Sequence, residues 1–241
     1  MEVVNLNEAY AYTTGLNNYV KFENNNIVKI LNQKLGPELT IKTTPDNGEL
    51  MEVFFKEGYS RLPVKDRIVL DIGANIADTS IYFALKGAKK VIALEPFPKN
   101  YEMAKQNVEL NKLSEKIFLT LGGLSDKNSH MLIDSDKEGM FTLEHFERGL
   151  EIPLITLDHI LNINDVNSAI LKMDCENCEY PSILNSSKDT LRKFTHIQIE
   201  YHNGYKNLKD KLESCGFKTS LISAFSKSDG KYLGYLYAVR K

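Results

Sequence analysis

The chain has 241 residues, 42% of them apolar and 26% charged, and a formal net charge of −2. That length supports one large domain with its own core, and the nearly balanced charge excludes attachment to nucleic acid or membrane by bulk electrostatics. Apolar runs stay short of the roughly 18 residues of a membrane span, the start is not that of a secretory signal, and three cysteines are too few for a disulfide framework, so the cytoplasm is the expected compartment.

Residues 1–60 are polar and Asn-rich. "NNYVKFENNNIVKILNQKLG" carries the outline of one helix and "TPDNGE" of a turn, which predicts an N-terminal helical appendage or lid ahead of a main domain over residues 61–241. From Arg67 onward, apolar runs alternate with helical patterns. "RIVLDI" is a buried strand, and "IADTSIYFALKGA" a helix stopped by Gly87 in the left-handed conformation. "KVIALEP" is a second strand, "KNYEMAKQNVELNKL" a helix, and "KIFLTLGG" a third strand. Between Ser125 and Pro153, "HMLID", "GMFTL" and "EIPLIT" read as short strands joined by turns such as "DSDKEG". "TLDHIL" starts a helix capped by Thr156 or Asp158. "AILKMD" and "THIQIEY" are strands four and five, and "NLKDKLESCGF" is a helix. "FKTSLIS" and "KYLGYLYAVR" close the chain as a hairpin around "SDGK", its final strand antiparallel to its neighbour. The alternation predicts an α/β fold with a mostly parallel sheet covered by helices on both faces.

The ligand site is expected at "IVLDIGANIADTS", Ile68 to Ser80. From Gly73, a dinucleotide turn would need glycine where Asn75 and Asp78 stand, and a P-loop fails at Asp78 too. A phosphate beside Asp71 would meet about 4 kcal/mol of repulsion at 4 Å and an effective dielectric near 20. A sulfonium cofactor reverses that sign: Asp71 attracts it, Gly73 lets the backbone approach, and amides near Ala77 and Thr79 receive its carboxylate. Alone, an aspartate there is more commonly a turn acid. Glu95, 22 positions after Gly73, supplies the second support at the roughly 20-residue spacing of a ribose-binding acid. Pro96 and Phe97 then present a ring to the adenine, and Gly123 with Leu124 read its edge.

"VLDIGANIADTSIYFALKGAKKVIALEPFPKNYEMAKQNVELN" resembles the FkbM family of S-adenosylmethionine-dependent methyltransferases, with its D-x-G-A-N-x-G-[DE] and E-P-x-P-x-x-[YF] motifs. "ITLDHIL" and "LKMDCENCEY" resemble its T-L-D and K-x-D-x-E-G-x-E stretches. The resemblance runs from Gly58 to Lys241. It implies a class I methyltransferase fold, a Rossmann-like seven-stranded sheet with an antiparallel last strand, and S-adenosyl-L-methionine as cofactor. It also implies cofactor-binding roles for Ala74 and Asn75 of the glycine turn. Two positions depart from the motifs. Ala77 replaces a glycine, which suits alanine if the position is helical, and Asn177 replaces another, where asparagine accepts the left-handed conformation.

The reacting edge should lie beyond the carboxyl ends of the strands, at Asp174, Glu176 and Glu179 after strand four and Glu200 and His202 after strand five. His202 is the first candidate for general base, because imidazole titrates near neutrality. Asp174, Glu176 and Glu200 are candidates for orienting the acceptor or taking its proton, and Asp174 also for lining the cofactor site. No metal is assigned; an oxygen-rich site from Asp174, Glu176, Glu200 and His202 is a weaker reading, as is zinc or redox chemistry at Cys175 and Cys178. The expected reaction is O-methylation of a hydroxyl on a sugar or other small molecule. A tRNA or RNA methyltransferase and a catalytically silent cofactor-binding scaffold are the alternatives. Balanced charge and the absence of an RNA-binding motif argue against a nucleic-acid partner.

Overall fold

The computed structural model describes residues 18–24, 26–44, 49–134, 149–226 and 232–241. Three short strands come first, β1 (Tyr19–Asn24), β2 (Ile27–Leu31) and β3 (Leu39–Lys42), paired as an antiparallel meander. This corrects the helical reading of that stretch. Val28 and Ile30, then Leu39 and Ile41, are buried while Lys29 and Thr40 pair on the other side. Inward positions therefore recur every second residue, the period of a strand. A short helix, α1 (Leu50–Phe54), follows. The first 17 residues lie outside the described residues, as do most of the "TPDNGE", "DSDKEG" and "SDGK" turns and the "GMFTL" run.

The main sheet is built from β4 (Ile68–Ile72), α2 (Asp78–Leu85), β5 (Lys90–Glu95), α3 (Pro98–Leu110) and β6 (Ile117–Leu121). It continues, after three strands of a separate small sheet, with α4 (Leu157–Ile163) and β10 (Ala169–Met173). Then come α5 (Glu179–Asn185), α6 (Lys188–Arg192), β11 (Phe194–Tyr201), α7 (Lys206–Ser214), β12 (Phe217–Ser226) and β13 (Tyr232–Arg240). The seven strands lie in the order β6-β5-β4-β10-β11-β13-β12, all parallel except β13, which runs against both neighbours. Gly87 ends α2 at φ 91°, and Thr156 caps α4 by accepting the amide of His159. Helices α5 and α6, which the hydrophobic pattern does not announce, complete the crossover that parallel strands β10 and β11 require.

Side chains alternate across the sheet. Val69, Val91 and Ala93 join one apolar layer, and Leu70, Ile72, Ile92 and Leu94 the other. The N-terminal residues Val28, Ile30, Leu39, Ile41 and Phe54 belong to the first layer, with Ile81 and Phe83 of α2. The small second sheet, β7 (Gly123–Leu124), β8 (Ser129–Ile133) and β9 (Leu150–Ile155), is ordered β7-β9-β8 and buries Ile133 and Ile152 against Phe97.

Helix α3 docks the N-terminal meander by imitating a strand. The Asn107 amide accepts from Lys42 N at 2.6 Å and donates to Lys42 O at 2.9 Å, and Asn111 serves Thr40 in the same way at 3.0 and 2.8 Å. These two side chains, one helical turn apart, satisfy the open edge of β3. Asn107 also donates to Ile76 O, tying the meander to the glycine turn. Asn107→Ala is expected to cost about 2–3 kcal/mol, because it strands buried backbone groups. A lower urea midpoint at unchanged slope would show it.

Candidate active site

Beyond the carboxyl end of β4 the chain turns through Gly73 at φ 74°, Asn75 at 49° and Ala77 at 67°. Ala77 is therefore left-handed rather than helical, at a cost of about 1–2 kcal/mol for a residue with a Cβ. Gly73 is required by space as well. A Cβ there would stand 1.7 Å from Asp174 O. The amides of Gly73 and Ala74 donate to Leu94 O, both at 3.0 Å, which fixes the turn onto β5.

Asp71 does not face the ligand space. It is fully buried, accepts from the hydroxyls of Thr79 (2.7 Å) and Ser80 (2.6 Å), and pairs with Lys172 Nζ at 3.2 Å. Lys172 is its register partner across β4 and β10. A carboxylate without solvent must be paired, and the neighbouring strand supplies the cation. Lys172 Nζ also donates to Gly73 O at 2.8 Å, so the ion pair holds the turn from beneath. The amides assigned to a ligand carboxylate are likewise engaged: Ala77 N with Ala74 O, and Thr79 N with the Asp78 carboxylate. Asp78 Oδ2 accepts from Glu49 N at 2.9 Å, joining the N-terminal segment to the turn.

Above this turn lies a cavity that is open to solvent on one side. Of the residues named from the sequence for the cofactor, Gly73, Asn75, Thr79, Glu95, Pro96, Phe97, Gly123, Leu124 and Asp174 line it, and Asp71 and Ala74 do not. Its described walls carry five carboxylates, Glu49, Asp78, Glu95, Asp174 and Glu176, against one ammonium, Lys172, already committed to Asp71. Glu95 accepts from Asn75 N and Phe97 N, which orients it at the end of β5. Tyr59, buried and edge-on to Phe83 and Tyr235, closes one side. Lys172 and Asp78 are the site residues sequence reasoning missed. A lone lysine inside the apolar strand "AILKM" was the available signal.

Burial pushes Asp78 up to about 6, against the Thr79 hydrogen bond and Lys172, and Glu95 up to about 7, against its hydrogen bonds. Both groups hold protons more tightly folded than unfolded. Their ionisation cost is absent below the ordinary carboxylate range and grows until pH passes the folded values, so stability falls as pH rises through about 4–7 on their account. Glu200, raised by burial and Asp174 to about 8, acts in the same sense. The melting temperature of the ligand-free protein is expected to decline from pH 6 to pH 8.5, against no change on their account if these carboxylates were ordinary.

Asp174 and Glu176 after β10 converge with Glu200 and His202 at the end of the neighbouring β11. His202 Nε2 lies 3.4 Å from Glu176 Oε1 and 3.9 Å from Asp174 Oδ1, and Nδ1 lies 3.0 Å from Glu179 Oε1. Burial alone would lower the imidazole, but the hydrogen bonds to Glu176 and Glu179 raise it to about 10. A ring in that state has no lone pair to accept a proton at neutral pH, unlike the free base the sequence suggests. Asp174 and Glu176 reach the cavity; Glu200 and His202 stand behind them. The loop between Asp174 and Glu179 contains a Cys175–Cys178 disulfide, a local bridge rather than a framework. Glu176 and Asn177 turn it at φ 53° and 88°. A four-residue ring restricts the unfolded chain little, and its reduction is expected to cost about 2 kcal/mol.

This strand order, with a glycine turn after the first central strand and an acid ending the next, defines the class I methyltransferase fold. Residues 71–219 match the model of the methyltransferase FkbM domain, and the chain belongs to that family, whose members draw their methyl group from S-adenosylmethionine. It is 41% identical over 159 residues to uncharacterized protein 158B of Sulfolobus islandicus rod-shaped virus 1, covering 66% of this chain and 75% of that one. Over 101 residues it is 39% identical to protein arginine N-methyltransferase 1 of Saccharomyces cerevisiae, covering 40% of this chain but only 28% of that protein. Among solved structures, Streptococcus pneumoniae Sp1610, a candidate tRNA (m1A22) methyltransferase in complex with S-adenosyl-L-methionine, shares the fold at TM-score 0.50 and 19% identity, covering 76% of this chain and 71% of that one. Among the described residues no helix is long and apolar enough to cross a membrane.

Proposed function

We propose that the chain transfers a methyl group from S-adenosylmethionine to a hydroxyl of a sugar or other small molecule. The observation that carries this reading is the sign of the cavity: five carboxylates on its described walls favour a cationic ligand and oppose a phosphate. Glu95 would hold the ribose hydroxyls, Phe97 and Leu124 the adenine, and Asp78 with Asp174 the cationic end. The cofactor supplies a methyl carbon already activated by a sulfonium.

The chain's own task is alignment and proton removal. Asp174 and Glu176, the carboxylates of the cluster that reach the cavity, take the hydroxyl proton or orient it. His202, bonded through both ring nitrogens to acids, positions them. Glu49, Val53 and Tyr59 line the same cavity, which supports residues 1–60 as a lid over a catalytic domain of residues 61–241.

Incubation with cofactor carrying a tritiated methyl group and a panel of glycans, small alcohols and bulk tRNA tests the reading. Label is expected in a hydroxyl acceptor, with a loss of at least about 100-fold in Asp174→Asn. Label in tRNA alone would make it an RNA methyltransferase, and cofactor binding without transfer a scaffold.

A further inference from the structure

We infer that Asp174, Glu200 and His202 form a binding site for a divalent metal ion of the oxygen-preferring kind, Mn²⁺ or Mg²⁺. One carboxylate oxygen from each acid and one imidazole nitrogen lie within 4.8 Å of one another. Octahedral ligands at about 2.1 Å from an ion stand about 3 Å apart when adjacent and about 4.2 Å apart when opposite. Small side-chain movements therefore bring all three into a shared shell. Glu176 Oε1, 3.4 Å from His202 Nε2, stands beside them as a fourth donor.

Two further observations point to a ligand rather than to a chance gathering of acids. Glu200 is nine-tenths buried, yet its Oε2 has no hydrogen-bond partner among the described residues. A buried carboxylate oxygen left so is costly unless something cationic serves it. The second is the treatment of His202. Fully buried Glu179 takes its Nδ1 at 3.0 Å and its main-chain N at 3.1 Å, which fixes the ring and aims Nε2 at the acids. A carboxylate behind a histidine is the arrangement that orients metal-binding imidazoles, and an ion bound there takes the place of the proton the ring otherwise holds on Nε2, releasing it to solvent. Two carboxylates with one imidazole suit Mn²⁺ or Mg²⁺ better than a thiolate-preferring ion.

The role of the ion, though not its site, rests on the hydroxyl-acceptor reading. At the edge of the cavity reached by Asp174, it would draw in the acceptor oxygen and ease loss of its proton.

The test is electron paramagnetic resonance of free Mn²⁺ titrated with the full-length, metal-stripped protein, which needs no activity. The expected result is loss of the free-ion signal at one Mn²⁺ per chain. Glu200→Gln should weaken binding at least tenfold, and Glu179→Gln, which alters only the partner that aims the ring, by about 10–100-fold. An undiminished wild-type signal overturns the site, whatever the variants do, and so does equal binding by wild type and a folded Glu200→Gln. Mn²⁺ binding with no methylation of any hydroxyl leaves the site standing and overturns the acceptor reading.

Discussion

Replacing Gly73 with alanine is expected to abolish cofactor binding and to cost at least about 3 kcal/mol of stability. The new Cβ would lie 1.7 Å from Asp174 O, 2.8 Å from Asp174 C and 3.2 Å from Cys175 Cα. All three are backbone atoms, which cannot swing aside as a long side chain can. The residue would also have to hold φ 74°, a region that L side chains enter only at a cost. The clash falls where Asp174 N donates to Ile72 O and joins the ends of β4 and β10. Relief must push those ends apart, and they carry both the ligand turn and the acidic loop. Thermal melts and calorimetry with the cofactor would show the effect. Wild-type affinity in Gly73→Ala would mean that the two loops are not packed as described.

Lys172→Met is expected to be comparably severe, at about 3–5 kcal/mol. The ammonium is buried in β10, and its loss leaves the fully buried Asp71 carboxylate with only two hydroxyl donors. The Gly73 carbonyl loses its donor as well. The pair should show strong coupling. Asp71→Asn restores charge balance in the double variant, which should be more stable than the sum of the singles by about 1–3 kcal/mol. Denaturant titrations of the four proteins measure this, and strict additivity would contradict the ion pair.

The two predictions mark how far the sequence could be read. The turn at Gly73 and the acid at Glu95 were legible because strand and helix periods bracket them, and the cavity is lined largely by the residues so chosen. The purpose of Asp71 was not. Its partner is 101 positions away, and nothing local distinguishes a carboxylate facing a ligand from one facing a lysine beneath. The four residues Asp174, Glu176, Glu200 and His202 were placed on one reacting edge, but the side-chain contacts across β10 and β11 were not legible, and they turned a candidate base into a ring bonded to acids on both sides. The N-terminal meander was misread for a different reason. Strands of four to six residues, of which β2 and β3 bury two side chains each, give too short a record to separate period two from a helix. Nothing in the sequence singles out Asn107, whose burial follows from the docked edge of β3 and the Ile76 carbonyl. At Ala77, tertiary packing imposed a conformation that the residue type does not prefer.

The electrostatic sign of the cavity carries the proposed choice of cofactor, and calorimetry of the purified full-length chain tests it directly. S-adenosylmethionine and S-adenosylhomocysteine should each give saturable one-to-one binding, weakened by Glu95→Gln, while ATP and NAD give no heat beyond dilution. Binding of either phosphate compound in the cavity, with none of the sulfur compounds, would contradict the account.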